Sequence, residues 1–343
     1  MTEDPTLVEL AHGAGGRAMA HFLRDIVFPH FKNNRFENGV GLPEADDGAT
    51  MPLGEYDVVI STDSHTVTPL FFPGGDIGRL AAAGTINDVA VMGARPVVLT
   101  SALVIEEGFP ISELQKILKS LADTAQEDQV SIIAGDTKVM PKGSLDQLII
   151  CTTGIGLADK DAVITDNNVQ VGDKLILTGT IGDHGIALLA NREGLAFDTT
   201  LTSDVAPLWS VIYPALKVGG IHAMKDPTRG GLAAALNEFA NKSKVGLWID
   251  ESQLPYRREV LAASQMLGID PLQVTCEGKA IISVEAEKAE AVLKSIKATR
   301  YGQSAQIIGE AREERSGLVV MKTEVGGSRI IQHPWAEAIP RVC

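Results

Sequence analysis

A chain of 343 residues is long for one compact domain and leaves room for two, each with its own core. Hydrophobic residues make up 45% and charged residues 22%, a globular balance, while 5% aromatics are too few to stack single-stranded nucleic acid. The 44 acidic residues outnumber 30 basic ones, and the net charge of −14 repels phosphate backbones and anionic lipid surfaces, so neither nucleic acid nor membrane is an expected partner.

The opening MTEDPTLVEL lacks the basic and apolar regions of a signal peptide. The most apolar stretch, 80–105, is broken by Asn87, Asp88, Arg95 and Pro96, so a soluble, cytoplasmic protein is expected. The segment HGAGGR (12–17) opens a helix, where bare backbone N–H groups and Arg17 suit an anion; the alternative is a flexible lead-in. A dinucleotide fold is rejected, because the following KNNRFENGVGLPEADDGAT lacks the second strand of a βαβ unit, and there is no P-loop. Strand-like runs at 57–62, 97–104, 130–136 and 147–154 alternate with stretches of helical spacing, giving an α/β first half.

Over 112–127 the spacing predicts a helix, with Ser112 and Gln115 as a capping box and Leu114, Ile117, Leu118 and Leu121 on one face. A polar, turn-rich passage, 158–173, precedes a strand at 174–179 and marks the domain boundary. Helices at 204–216, 229–243 and 286–297 and strands at 245–250 and 279–285 are predicted for the second half. After Met321, Gly326, Gly327 and two prolines argue against a regular element running to the end, and a mobile tail is expected. No low-complexity tract or 20–50-residue repeat occurs.

Cys151, Cys276 and Cys343 lie far apart without a C-x-x-C pair, which fits neither a disulfide framework nor a zinc knuckle; Cys276 reads as a small core residue. More telling is a series of acidic positions at the ends of apolar runs or in glycine turns: Asp46-Asp47, Asp63, Asp88, Asp136 and Asp226. Singly each fits turn chemistry; together they suit Mg²⁺, which takes hard oxygen ligands and would offset the acidity of a protein handling phosphates.

The segments FFPGGDIG, GTINDVAVMGARP, IIAGDTK, DPTRGGLAAALNE and PRVC resemble the HypE family of hydrogenase-maturation proteins, in the PurM-like ATP-binding superfamily, over essentially the whole chain. The resemblance implies a two-domain α/β (α+β) fold: a ferredoxin-like ATP-binding domain, 1–160, pairing across a homodimer, a second α/β domain, 161–322, and a flexible tail, 323–343. It further implies ATP and Mg²⁺ between the domains. Asp47, Asp63, Asp88, Asp136, Asp226, Arg229, Gly230 and Gly231 match the phosphate-binding positions, with Asp47, Asp63 and Asp136 on the metal; Asp46 beside Asp47 leaves that register open by one. The implied activity is ATP-dependent dehydration of a carbamoyl group on Cys343 to a thiocyanate, which supplies the cyanide ligands of [NiFe]-hydrogenase. HypF is the implied carbamoyl donor and the HypC–HypD complex the acceptor.

An exposed terminal thiol is by default unremarkable, but an extended tail reaches roughly 3.3–3.6 Å per residue, enough for a carrier to visit two sites. Val342 stands where the family usually has Ile, a loss of one methylene. A free thiol titrates near ~8.5 and the α-carboxylate disfavours its ionisation, so a cation is required; Arg341 and Lys138 are the candidates. Glu277 is assigned as the base and Lys138 as its relay or as a stabiliser of the transferring phosphoryl group, against the alternative of an ordinary salt bridge. Two other functions stay open: another PurM-like small-molecule kinase, and a non-catalytic ATP-binding scaffold whose Cys343 binds metal.

Overall fold

A computed structural model describes residues 7–192, 201–339 and 341–343; residues 1–6 of the opening segment and Pro340 of the PRVC ending lie outside them. The first domain begins with the short helix α1 (Gly16–Phe22), then strands β1 (Ala49–Leu53) and β2 (Tyr56–His65) and the small ribbon β3 (Phe71–Phe72) and β4 (Gly75–Asp76). Helix α2 (Ile77–Val91), β5 (Arg95–Glu106), α3 (Ile111–Glu127), β6 (Ser131–Met140) and β7 (Leu148–Asp159) complete it. The five-stranded sheet runs β1-β2-β7-β5-β6, with β5 and β6 parallel and the other pairs antiparallel.

Alternation along β7 is strict, and its buried residues, including Leu148, Ile150 and Thr152, face α2. Gly154 and Gly156 let the helix approach: a Cβ at either would stand 2.9 Å from Thr85 or 2.3 Å from Val89. Helix α2 is buried on nearly every side, and Asp76 caps it by accepting from the N–H groups of Gly78 and Arg79. Helix α3 buries Ile117, Leu121, Thr124 and Ala125 along one stripe. Its predicted capping box does not form. The helix starts at Ile111, and Pro110, whose φ of −66° is already fixed for it, is the cap residue.

In the second domain β8 (Lys174–Leu177), α4 (Asp183–Arg192), α5 (Trp209–Val218), β9 (Ile221–Lys225), α6 (Gly231–Ser243) and β10 (Gly246–Asp250) come first. Next are α7 (Arg258–Leu267), β11 (Ile281–Val284), α8 (Ala289–Lys297), β12 (Gln306–Arg312), β13 (Val319–Lys322) and β14 (Ser328–Ile331). Their seven-stranded sheet has the order β14-β13-β10-β12-β8-β11-β9. Core residues of α6, including Leu232, Leu236 and Phe239, cluster with one set of strand residues. Those of α5 and α8, including Val211, Ile212 and Val292, cluster with another.

The segment after Met321 departs from the expected tail. Gly326, at φ +90°, closes a hairpin through which β14 pairs with β13, so the glycine pair is a turn rather than a hinge. Beyond Ile331 the chain lies across the domain boundary and buries Ile339 and Val342 in the core that contains α2 and α3.

Candidate active site

A cleft of about 250 Å³ opens where β2 and α2 of the first domain meet β9 and the start of α6 of the second, and Cys343 reaches into it. From the first domain come Asp47, Asp63 and Asp88; from the second, Asp226, Arg229 and Glu277. One carboxylate oxygen from each of Asp47, Asp88 and Asp226 lies within 4.8 Å of the others, close enough to share one cation. Asp47 Oδ2 and Asp226 Oδ2 are buried without a hydrogen-bond partner, as expected of oxygens meant for a metal.

Electrostatics point the same way. Burial, then the charges of Asp63, Asp226 and Asp47, push Asp88 well above the ordinary carboxylate range. Burial also raises Asp47, with Lys225 opposing, and lifts Asp226 to about 6. Mutual repulsion of this kind is relieved by a divalent cation, so the residues present fit Mg²⁺. The two carboxylates of the Asp pair are placed differently. Asp46 is engaged by the backbone N–H groups of Asp47 and Asp166, whereas Asp47 points at the cluster and is held by Lys225. Lys225 is itself buried and also pairs with Glu238 at 3.2 Å and Asp166 at 3.5 Å.

Glu277 is held from both sides of its backbone. Its N–H donates to Asp204 at 3.1 Å, and its carbonyl accepts from Asn87 Nδ2 at 3.3 Å. Asn87, buried in α2, also donates to the Ala206 carbonyl and accepts from the Leu208 N–H, so one amide ties the first domain to the second. Glu277 Oε1 is buried and unpartnered. Burial first, then Asp226 and Asp204, drives its carboxyl well above the usual range, with Arg229 opposing.

Cys343 is pushed up by burial and by Glu277, while Arg229 pulls it down; the reciprocal effect is that the thiolate is the largest influence raising Arg229. The cation facing the thiol is therefore Arg229. Arg341 instead pairs with Asp146 at 2.6 Å on the surface.

Asp47, Asp63, Asp88, Asp226, Arg229, Glu277 and Cys343 share the cleft. Asp63 is bonded by Thr85 Oγ1 at 2.9 Å, and the three-carboxylate cluster contains Asp88 and Asp226 in place of the expected Asp63 and Asp136. Gly230 caps α6 in a left-handed conformation at φ +82°. A Cβ on Gly231 would stand 2.6 Å from the Val274 carbonyl, so both glycines shape the turn behind Arg229. Asp136 and Lys138 lie elsewhere, exposed on edge strand β6. Asp136 is in register with Ala102, Cys151 and Ser64, three strands from the cleft, and Lys138 lies two residues further along β6, in register with Val104 and Ile149.

Sequence reasoning missed Asn87 as a tie, Lys225 as the counter-charge of Asp47, and Glu337, which the tail brings near Arg229. A lone amide inside an apolar helical run was the one legible signal among these.

The families described as AIR synthase related protein, N-terminal domain and C-terminal domain, match residues 45–158 and 170–322. A carbamoyl dehydratase HypE of Cupriavidus necator is 42% identical over 98% of this chain and 95% of its own length. The chain belongs to the HypE family. Among solved HypE structures, the HypE–HypF complex aligns with a TM-score of 0.85 at 43% identity, covering 91% of this chain and 99% of that one. HypE in complex with ATP aligns at 0.81 and 39%, covering 98% and 100%.

Proposed function

We propose that this HypE-family chain uses ATP to dehydrate a carbamoyl group on Cys343 to a thiocyanate, the source of cyanide ligands for the iron of [NiFe]-hydrogenase. One observation carries the reading: the docked tail puts Cys343 into the same cleft as Glu277, Arg229 and the carboxylate cluster. The relatives solved with ATP and with HypF support ATP as co-substrate and a HypF-type carbamoyltransferase as donor. The HypC–HypD complex is the proposed acceptor and the cytoplasm the proposed location; among the described residues no helix is long and apolar enough to cross a membrane.

An amide oxygen leaves poorly, so ATP phosphorylates it, and the C–O bond then breaks as phosphate departs while the nitrogen gives up its protons. Glu277, whose Oε1 is buried in the cleft without a hydrogen-bond partner, takes one of them as the base, and the departing phosphate takes up the other. Arg229 offsets negative charge beside the sulfur. Asp47, Asp88 and Asp226 would hold Mg²⁺, which when bound neutralises phosphate charge. Val342, fully buried, seals the inner end of the tail and keeps water from the thiocyanate.

A homodimer accounts for β6. This edge strand carries exposed Ile133 and Val139, and an unpaired apolar edge invites a second chain. Asp136 and Lys138 then serve the neighbouring cleft.

Mass spectra of the C-terminal peptide after incubation with carbamoyl phosphate, ATP and the carbamoyltransferase test the reading. Cys343→Ala should fold normally and carry no adduct. Glu277→Gln should load but stall at the carboxamide, one water heavier than the parent's product, by ~10²–10⁴-fold. Normal conversion in Glu277→Gln would remove the base assignment, and hydrogenase cyanation supported by Cys343→Ala would remove the carrier.

A further inference from the structure

Outside the reacting groups the tail is held at its root and around its tip. At its root, the backbone N–H groups of Arg17 and Ala18 donate to the carbonyls of Pro334 and Trp335, each at 3.0 Å, and the Glu337 N–H donates to the Ala14 carbonyl at 2.9 Å. Only glycine permits this approach. Gly15 and Gly16 have φ of +67° and +64°, and a Cβ on Gly16 would stand 2.6 Å from the Pro334 carbonyl oxygen. The Arg17 guanidinium lies over the Trp335 ring, 5.5 Å from its centre. The HGAGGR segment, expected either to cradle an anion or to be a flexible lead-in, here clasps the tail.

At the tip the contact is a buried histidine. His184, at the start of α4, places Nε2 2.7 Å from the Val342 carbonyl oxygen and Nδ1 2.7 Å from Ser203 Oγ. Ser203 Oγ already accepts from the Val205 N–H at 3.0 Å, which leaves its O–H free to donate to Nδ1. A carbonyl only accepts, so Nε2 carries the proton and donates to Val342. Burial lowers the pKa of His184 and favours this neutral form. Phe72 packs edge-on against the ring at 5.4 Å, fixing its plane. The Val342 carbonyl belongs to the peptide bond that leads into Cys343, so the His184 contact orients the last peptide plane before the thiol.

We propose that His184 is a positioning residue which latches the docked tail by its tip, with Ser203 holding its tautomer and the Gly15-Gly16 arch holding the root, so that the Cys343 thiol is set in register with Glu277 and Arg229. The proposal deepens the reading of Cys343 as carrier and rests on it. A carrier has to leave the cleft to be loaded, and a latch of one neutral hydrogen bond holds the docked state without trapping it. Neighbouring contacts help: Arg192 Nη2 and the Thr68 N–H donate to the Arg341 carbonyl, and Thr66 Oγ1 donates to the Cys343 carbonyl at 3.5 Å, but His184 is the side chain bonded to the peptide that leads into the thiol.

Alkylation of the full-length protein with iodoacetamide, read peptide by peptide by mass spectrometry, tests the latch without any catalysis. In Ser203→Ala and His184→Ala, Cys343 should react faster than in the parent by roughly tenfold, the population shift that loss of one net hydrogen bond produces. His184→Gln, which keeps an N–H donor, should fall between. Half-buried Cys151 on β7 reports general loosening and should not change. Ser203→Ala leaves the ring and its packing in place, so it decides the matter if His184→Ala folds poorly. An unchanged Cys343 rate in Ser203→Ala and His184→Gln, or an equal rise at Cys151, overturns the latch. Carbamoyl-loaded Ser203→Ala should also convert more slowly in a single turnover while loading normally. Faster alkylation together with a parent that never carries or converts a carbamoyl group would leave the latch standing and sink the carrier reading instead.

Discussion

Glu337 shows how a single residue couples the tail to pH. It is half-buried beside Arg229 and Arg192, and burial lifts its carboxyl to about 7, those two cations opposing. Once the tail leaves, the group returns to the ordinary Glu value near ~4.3. A raised folded-state pKa means that docking is fully supported below the free value and that the support is lost as pH rises through about 7. Protection of Cys343 from alkylation, corrected for thiol ionisation, should therefore weaken between roughly pH 4.5 and 7, and Glu337→Gln should flatten that slope; equal slopes would refute the coupling. This residue was not legible in the sequence. Asp88 stood out only as one of a series of acidic positions ending apolar runs, and Glu277 only through the family resemblance. Glu337, Arg229 as the thiol's cation and Asn87 as a tie depend on which distant segments cross, and that is decided only when the tail docks.

At the level of elements, legibility followed the direction of burial. Helix α3 is buried along one face only, so its period shows in the sequence, and Ile111–Glu127 is close to the predicted 112–127. Helix α2 is buried nearly all round and has no polar face to reveal its period, so the sequence shows only an apolar stretch interrupted by Asn87 and Asp88. Helix α5 begins at Trp209 rather than 204, and α4, α7, β9 and β12 were not anticipated, being short and bounded by turns whose tertiary partners fix them. The site hangs on α2, because Asp88, Asn87 and Thr85 all project from it. Gly78 near its start packs so closely on α3 that a Cβ would stand 2.1 Å from the Ile117 carbonyl oxygen. Replacing glycine inside a helix by alanine usually gains about 0.5–1 kcal/mol. Here overpacking should reverse the sign and destabilise Gly78→Ala by about 1–3 kcal/mol, visible as a lower thermal midpoint, with Mg·ATP affinity falling as α2 shifts. A midpoint equal to or above the parent's would show that α2 and α3 can separate freely.

For the whole molecule, the proposed role of Lys138 requires a second chain. The row of residues from Ser64, beside the cleft, through Cys151 and Ala102 to Asp136 crosses three strand spacings. At about 4.8 Å each these amount to about 14 Å, and Lys138 is two residues further along the same exposed edge strand. A lysine side chain extends about 6 Å, so within one chain Lys138 does not reach Cys343. Two chains paired through β6 would bring each strand toward the neighbouring cleft, and the consequence is testable by complementation. A homodimer of Lys138→Ala should be inactive, and a homodimer of Cys343→Ala has no carrier. In the mixed dimer, the Cys343 of the first chain meets the intact Lys138 of the second, and one working cleft is assembled. Dehydration should return to about half the parent rate per dimer in the mixed species isolated by dual tags, since one of two clefts is complete. If Lys138 acts within its own chain, the mixed dimer contains no cleft with both residues and stays silent. Introducing Val139→Lys into both chains should abolish the recovered activity along with the dimer, by setting buried like charges across the pairing edge, with size-exclusion chromatography reporting the monomer.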